Sequence, residues 1–266
     1  MSNRPKILLS NDDGIQSHGL LLLARELAKI GELTICAPMF ERSGASHSLS
    51  FNPLHVGQLS LGEEGLNAWV TDGQPADCVK FALSNLFDDP PDLVVSGINA
   101  GLNLASHIFY SGTVGAAMEA ALLNIPAVAI SLGSFGKPPG GSTANGALEN
   151  ATAYSAQLCG KLLEQKLPER VCLNVNFPNI PPAELKGSRL THHGLYSFDT
   201  SYELDEVSGG YRLMGKVAGT RGNRDPNLDW TAIIEGYISL TPLTPDLNST
   251  ALNHALSGLT FPPSAG

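Results

Sequence analysis

The chain has 266 residues, with 16 Lys+Arg against 25 Asp+Glu and a formal net charge of −9. That balance disfavours a general nucleic-acid binder, which needs a basic surface to displace counterions. A phosphate-bearing ligand would have to be drawn in locally, by a metal ion or by backbone N–H groups. Hydrophobic residues make up 42% and charged residues 15%, the composition of a folded chain large enough for one α/β domain or one domain with an appended lobe.

No apolar run approaches the ~18 residues of a membrane span, and the polar start of the chain leads into too short an apolar stretch for a signal sequence, so a cytoplasmic chain away from membranes is expected. Cys36, Cys78, Cys159 and Cys172 lie far apart with no CxxC pair, and buried free thiols are expected of them.

In chain order, residues 7–10 read as a strand that ends in Asn11-Asp12-Asp13-Gly14. Residues 18–30 follow as a helix, with Leu20, Leu23, Leu27 and Ile30 at helical spacing, then 33–37 as a strand stopped by Pro38. Residues 69–71 precede an Asp72-Gly73 turn, and Pro75 opens a helix to 86. Residues 93–96 form an apolar strand, 113–123 an Ala-rich helix, 127–132 a strand, 143–165 a long helix and 171–177 a last buried strand. Residues 133–142, rich in Gly, Pro and Ser, read as a loop near the site.

Near-continuous apolar strands alternating with helices specify a parallel sheet covered on both faces. The expected fold class is α/β, a doubly wound, mainly parallel sheet in a Rossmann-like three-layer sandwich, with ligands beyond the carboxyl ends of the strands. Past residue 187 the pattern changes. Residues 188–217 read as strands with a hairpin turn at Ser208-Gly209-Gly210, 231–243 as one long strand and 248–256 as a closing helix. An isolated hairpin needs a partner for its apolar face, so an arm packed on a neighbouring subunit is expected, or else one folded back on its own core. The division expected is 1–186 as the catalytic core and 187–266 as the arm, long strand and closing helix.

Three strand ends are chemically loaded. Adjacent Asp12 and Asp13 at a strand tip repel each other unless a cation bridges them. Such hard oxygen ligands suit Mg²⁺, Mn²⁺ or Ca²⁺, and the alternative is an ordinary Asp-Gly turn with solvated acids. The second end carries Glu41-Arg42-Ser43-Gly44-Ala45-Ser46-His47, where Ser43 offers a further oxygen. The third carries Ser96-Gly97-Ile98-Asn99-Ala100-Gly101-Leu102-Asn103, where Asn99 offers an amide oxygen. Close behind, Ser111-Gly112-Thr113 opens the Ala-rich helix, whose N–H groups and hydroxyls suit an anion. The simple alternative for Ser111 or Thr113 is an N-cap. His18 and His47 are weighed as proton donors and left as structural histidines. No GxGxxG follows the first strand and no GxSxG elbow occurs, which disfavours a dinucleotide oxidoreductase and a serine hydrolase.

These stretches, with Thr71-Asp72-Gly73…Pro75-Ala76-Asp77-Cys78-Val79, Tyr110-Ser111-Gly112-Thr113-Val114 and Glu235-Gly236-Tyr237…Thr241-Pro242-Leu243, resemble the survival protein SurE nucleotidases along nearly the whole chain. The resemblance implies a phosphatase of nucleoside 5′-monophosphates with one divalent cation per subunit, Mg²⁺ or Mn²⁺, though Ca²⁺ fits the same ligands. It puts the metal on Asp12, Asp13, Ser43 and Asn99, with Asp12 and Asp13 catalytic. Phosphate or substrate contacts fall on Asn11, Gly44, Ser46, Asn103, Ser111, Gly112 and Thr113. It also implies a dimer or tetramer through C-terminal arms. One departure stands out: many relatives carry acidic residues just before the Tyr-Ser-Gly-Thr turn, where this chain has Ala105-Ser106-His107, which bears on base preference. Rival readings are a broader phosphatase acting on 3′-nucleotides or short polyphosphate, and a non-catalytic nucleotide-binding module.

Overall fold

Strand β1 (Lys6–Ser10) runs through the middle of the molecule, and its side chains alternate between two cores. Ile7 and Leu9 face one helical layer and Leu8 the other; all three are fully buried. In the computed structural model, residues 4–61, 66–135, 142–165, 168–194, 199–216 and 225–248 are described.

Helix α1 (His18–Ile30) starts at Ser17, whose hydroxyl accepts from the Leu20 N–H, and buries the predicted Leu20, Leu23 and Leu27 stripe. It is followed by β2 (Glu32–Pro38), the outer hairpin of β3 (Val56–Ser60) and β4 (Asn67–Thr71), and α2 (Pro75–Asn85). β5 (Leu93–Ala100) leads through a 3₁₀ turn at Ala105–Phe109 into α3 (Gly112–Leu122). Then come β6 (Ala127–Gly133), α4 (Ala147–Glu164) and β7 (Cys172–Pro178). α4 begins four residues later than the sequence suggested, because Gly146 at φ 73° ends the preceding turn in the left-handed region.

Among the described residues the central sheet has nine strands. β4, β2, β1, β5, β6 and β7 are parallel neighbours in that order, with β3 antiparallel at one edge. Helices α1 and α4 pack with Ile7, Leu9, Val95, Ile130 and Val175 on one face. Helices α2 and α3 pack with Leu8, Cys36, Val94 and Ala129 on the other. The layers are therefore those expected, and all four cysteines are buried free thiols. Strand order reverses between β1 and β5, which places the ligand crevice of this topology at their carboxyl ends.

Beyond residue 187 the structure differs from the expectation of one strand over 231–243. That stretch is a short helix, α5 (Asp229–Ile234), followed by β11 (Ile238–Leu243). Gly236 at φ 85° breaks the run, and the Tyr237 N–H donates to the Ala232 carbonyl to close the helix. β11 joins the central sheet antiparallel to β7, and β8 (Ser188–Leu190) pairs with β11 at the sheet's edge. The hairpin expected around residues 208–210 is present as β9 (Asp199–Leu204) and β10 (Tyr211–Lys216), a separate two-stranded sheet. The closing helix expected over 248–256 lies, but for Asn248, outside the described residues. No helix among the described residues is long and apolar enough to cross a membrane.

Candidate active site

Asp12 and Asp13 follow directly from the tip of β1, where the strand ends and a turn closes on Gly14 at φ 95°. Asn11 holds that turn from behind, donating from Nδ2 to the Gly14 carbonyl (2.9 Å) and to Ser17 Oγ (2.7 Å). The two acids open onto a cleft of about 430 Å³. Besides them, its walls are Glu41, Ser43 and Gly44 from the loop after β2, the segment Asn99 to Asn103 from the end of β5, and His107, Tyr110 and Ser111.

Asp12 is buried, and loss of solvation pushes its pKa up. Opposing this, the Thr113 hydroxyl donates to Asp12 Oδ1 at 2.5 Å, and the Gly112 and Thr113 N–H groups also favour the charged form. The start of α3 is thus directed at a carboxylate of the protein itself. Gly112 is required by the approach: a Cβ there would lie 2.8 Å from Asp12 Cβ. Asp13 is raised to about 6, first by burial and then by the charge of Asp12 and, more weakly, Glu41; the Ala100 N–H, 3.0 Å from Asp13 Oδ2, pulls the other way.

Asn99 donates from Nδ2 to the Gly101 carbonyl at 2.9 Å, which leaves its amide oxygen for a ligand. Ser43 donates to Glu41 Oε1 at 2.5 Å. Asn103 is fixed from the neighbouring strands. Its N–H donates to Asn176 Oδ1 (2.8 Å) and its Nδ2 to Ser131 Oγ (2.8 Å), while its carbonyl accepts from Asn174 (2.8 Å) and Asn176 (3.1 Å). Ser111 is the N-cap of α3, its hydroxyl accepting from the Val114 N–H at 3.1 Å, and it also borders the cleft.

Of the residues expected from sequence, the fold brings Asp12, Asp13, Ser43, Gly44, Asn99, Asn103 and Ser111 to one cleft. Asn11, Ser46, Gly112 and Thr113 are not in its walls. Asn11, Gly112 and Thr113 back the acid pair, and Ser46 turns its hydroxyl to the Phe109 carbonyl. His18 is exposed at the start of α1, and His47 bonds Glu119 at 2.8 Å.

Among the polar wall side chains, Glu41 and Tyr110 had no role assigned from sequence, and His107 stood out only as part of the Ala105-Ser106-His107 departure. His107 packs edge-on to Tyr110 with ring centroids 6.5 Å apart, and burial lowers its pKa, which favours the neutral imidazole. The Asn174 and Asn176 support was also unassigned. Its signal was two asparagines at alternate positions of an otherwise apolar buried strand, where polar groups must find partners.

Two carboxylates whose negative form is disfavoured where they stand, with one amide and one hydroxyl oxygen beside them, are a hard-oxygen donor set. Divalent cations such as Mg²⁺ or Mn²⁺ fit it chemically, and the raised Asp13 pKa is the cost a positive charge would relieve. Among the described residues no group of three or more His, Cys, Asp or Glu forms a metal cluster, so a cation here would rest on two acids plus neutral oxygens.

The family model for survival protein SurE matches residues 7–200. Among curated relatives, the 5′-nucleotidase SurE of Synechococcus sp. (strain JA-3-3Ab) is 39% identical over 257 residues, covering 94% of this chain and 95% of that protein. The 5′-nucleotidase SurE of Coxiella burnetii (strain Dugway 5J108-111) is 39% identical over 249 residues, 91% and 90% of the two chains. The crystal structure of the SurE protein from Aquifex aeolicus superposes with a TM-score of 0.78 at 34% identity, covering 96% of this chain and 99% of its own. With the match running from β1 through the cleft walls to the β9 strand, the chain belongs to the survival protein SurE family.

Proposed function

We propose that this chain is a divalent-metal-dependent phosphatase that hydrolyses nucleoside 5′-monophosphates to nucleoside and phosphate. The observation that carries the reading is the convergence of Asp12 and Asp13 with Ser43, Asn99 and Ser111 in one cleft at the sheet's switch point. Relatives 39% identical over nine-tenths of the chain bear the name 5′-nucleotidase, which supports the same substrate class.

Asp12, Asp13, Ser43 and Asn99 would hold the cation. Once bound, a cation of this kind supplies Lewis-acid polarisation of a phosphoryl oxygen and lowers the pKa of a water. The remaining work belongs to the protein. Ser111 and the backbone at Gly44 border the cleft where a phosphate would sit, and Asn103 presents its side chain from a fully bonded backbone. Positioning and fixed dipoles of this sort account for most of the catalysis expected in phosphoryl transfer. Asp12 has one oxygen committed to Thr113, which favours water over an aspartyl nucleophile. His107 and Tyr110 make the aromatic part of the wall, and the nucleoside is expected on that side.

We further propose that the β9–β10 hairpin packs on a second copy, giving a dimer or tetramer. Tyr202, Leu204, Val207, Tyr211 and Leu213 are exposed on it, more apolar surface than an isolated two-stranded ribbon sustains.

The test is phosphate release from 5′-AMP, 5′-GMP, 3′-AMP and short polyphosphate, with Mn²⁺, with Mg²⁺ and after chelation. Metal-dependent release from the 5′-nucleotides, lost by at least about a hundredfold in Asp12→Asn and Asp13→Asn, is expected. Equal release from 3′-AMP or polyphosphate would replace the narrow substrate class with a broad one. Full activity in chelator would remove the metal from the mechanism.

A further inference from the structure

We infer that Glu119, acting through His47, is a positioning residue that holds the Ser43–Ser46 loop at the cleft. The inference rests on the phosphatase reading for its catalytic consequence, and on the following geometry for the clasp itself.

The loop after β2 has no regular structure, and it passes through two left-handed residues, Gly44 at φ 74° and Ser46 at φ 58°. A non-glycine residue there persists only where its surroundings fix it. Its entry is fixed by the Arg42 N–H, which donates to the Asp12 carbonyl at 2.7 Å. At Ser46 the N–H donates to the Tyr110 carbonyl at 3.0 Å and the hydroxyl to the Phe109 carbonyl at 2.5 Å. His47 then closes the loop, its Nε2 lying 2.8 Å from Glu119 Oε2.

α3 is shaped to receive this closure. Ser111, Gly115 and Glu119 recur every four residues and so share one face of the helix. Ser111 borders the cleft, and Gly115 lets the loop backbone lie against the helix: a Cβ there would stand 2.6 Å from the Ser46 carbonyl oxygen and 3.0 Å from His47 Cα. One turn on, Glu119 is 3% exposed, and its other oxygen takes Lys80 Nζ of α2 at 2.6 Å. Bonding to His47 and Lys80 keeps its pKa below the ordinary value, so a buried carboxylate stands between two donors. Losing either donor leaves that charge under-compensated, but only His47 links it to the cleft. His47 does not reach the cleft walls and touches no reacting atom. Its effect is to pre-order Ser43, Gly44 and Ser46, so freeing it should cost binding rather than the chemical step.

The experiment compares His47→Ala, His47→Gln and Lys80→Ala in the full chain. Amide hydrogen exchange at Ser46 reads the loop without substrate. His47→Ala is expected to speed it about tenfold or more, and His47→Gln, which keeps an N–H donor for Glu119, to restore most of the protection. With 5′-AMP and Mn²⁺, His47→Ala should raise KM and weaken Mn²⁺ binding by calorimetry about tenfold, with kcat within about twofold of wild type. Lys80→Ala should leave KM and Ser46 exchange unchanged. Unchanged exchange in His47→Ala, or no rescue by His47→Gln, overturns the clasp whether or not phosphate is released. Accelerated exchange in an enzyme whose wild type releases no phosphate upholds the clasp and overturns the phosphatase reading instead.

Discussion

The Thr113 hydroxyl and Asp12 Oδ1, 101 positions apart in sequence, are 2.5 Å apart in the fold. This bond makes the first turn of α3 a support for the acid pair, and it favours the ionised form of a carboxylate whose charge burial disfavours. Thr113→Val keeps the shape and removes the donor. It should destabilise the protein by about 1–2 kcal/mol, since one buried partner is left unsatisfied, and lower turnover about tenfold or more. Thr113→Ser should behave nearly as wild type. Urea denaturation and phosphate release measure the two effects, and a Thr113→Val protein indistinguishable from wild type would show that Asp12 needs no such support.

Asp13 makes a pH prediction whose sign follows from its shift. Its pKa rises from 3.8 to about 6 in the fold, chiefly through burial, so the folded state holds the proton more tightly than the unfolded chain. Stability from this group is therefore full below about pH 4 and declines as pH climbs through about 6. Two pH units correspond to roughly 3 kcal/mol, and solvent screening at a partly open cleft reduces this to the order of 1–2 kcal/mol. In metal-free protein, Asp13→Asn should abolish the decline and raise the melting temperature at pH 7 while silencing phosphate release. Saturating Mn²⁺ should raise the melting temperature of wild type but not of Asp13→Asn. A melting temperature for Asp13→Asn below that of metal-free wild type at pH 7 would contradict the assigned electrostatics.

Asn103 depends on a buried polar cluster rather than on its own loop. Asn176 both accepts from its N–H and donates to its carbonyl, and Asn174 donates to the same carbonyl. Asn176→Ala removes two of these bonds inside the protein and leaves the Asn103 N–H unpaired, at a cost of about 1–3 kcal/mol. The loss should also appear as a raised KM, because the cleft wall loses its register against β7. Asn176→Asp keeps the acceptor and should be milder in KM, though it places a charge in a buried site and should melt lower than wild type. An Asn176→Ala enzyme with wild-type KM would make the cluster purely structural.

How much of this was legible in the sequence depends on whether the signal was local. β1 was legible because Ile7, Leu8 and Leu9 give way abruptly to Asn11-Asp12-Asp13-Gly14. The parallel strands were legible because burial on both faces leaves continuous apolar runs. Residues 231–243 misled for the same reason: a β-branched apolar run has no period that separates strand from helix, and Gly236 was the one break in it. β3 escaped notice as an exposed edge strand with little apolar content. The approach of six polar residues and Gly44 to one cleft was legible from topology, since strand tips on one sheet edge must meet. Which of them face the cleft was not, because Thr113 and Ser46 look equally available until the fold assigns their hydroxyls to Asp12 and Phe109.

Asp229 carries the last prediction, and it ties α5 to the segment that bears the His107 wall of the cleft. Fully buried at the start of α5, its carboxylate accepts from the N–H groups of Ala105 (2.7 Å), Trp230 (2.8 Å) and Gly194 (3.3 Å). Ala105 sits at φ 47°, a conformation an alanine keeps only when held, and it opens the 3₁₀ turn bearing His107. Leu104, Ala105, Leu228, Trp230 and Ile233 pack together around this anchor. Burial raises the Asp229 pKa, the three donors oppose the rise, and the balance makes the site sensitive to any change in acceptor capacity. Asp229→Asn replaces one acceptor oxygen with a donor that faces other donors. It should cost about 1–3 kcal/mol in urea denaturation and speed amide exchange at Ala105 and His107. If the wall at His107 and Tyr110 receives the nucleoside, KM for 5′-AMP should rise while hydrolysis of a small phosphate ester lacking a base changes little. An equal loss on both substrates would mean that Asp229 supports the whole cleft rather than its aromatic side.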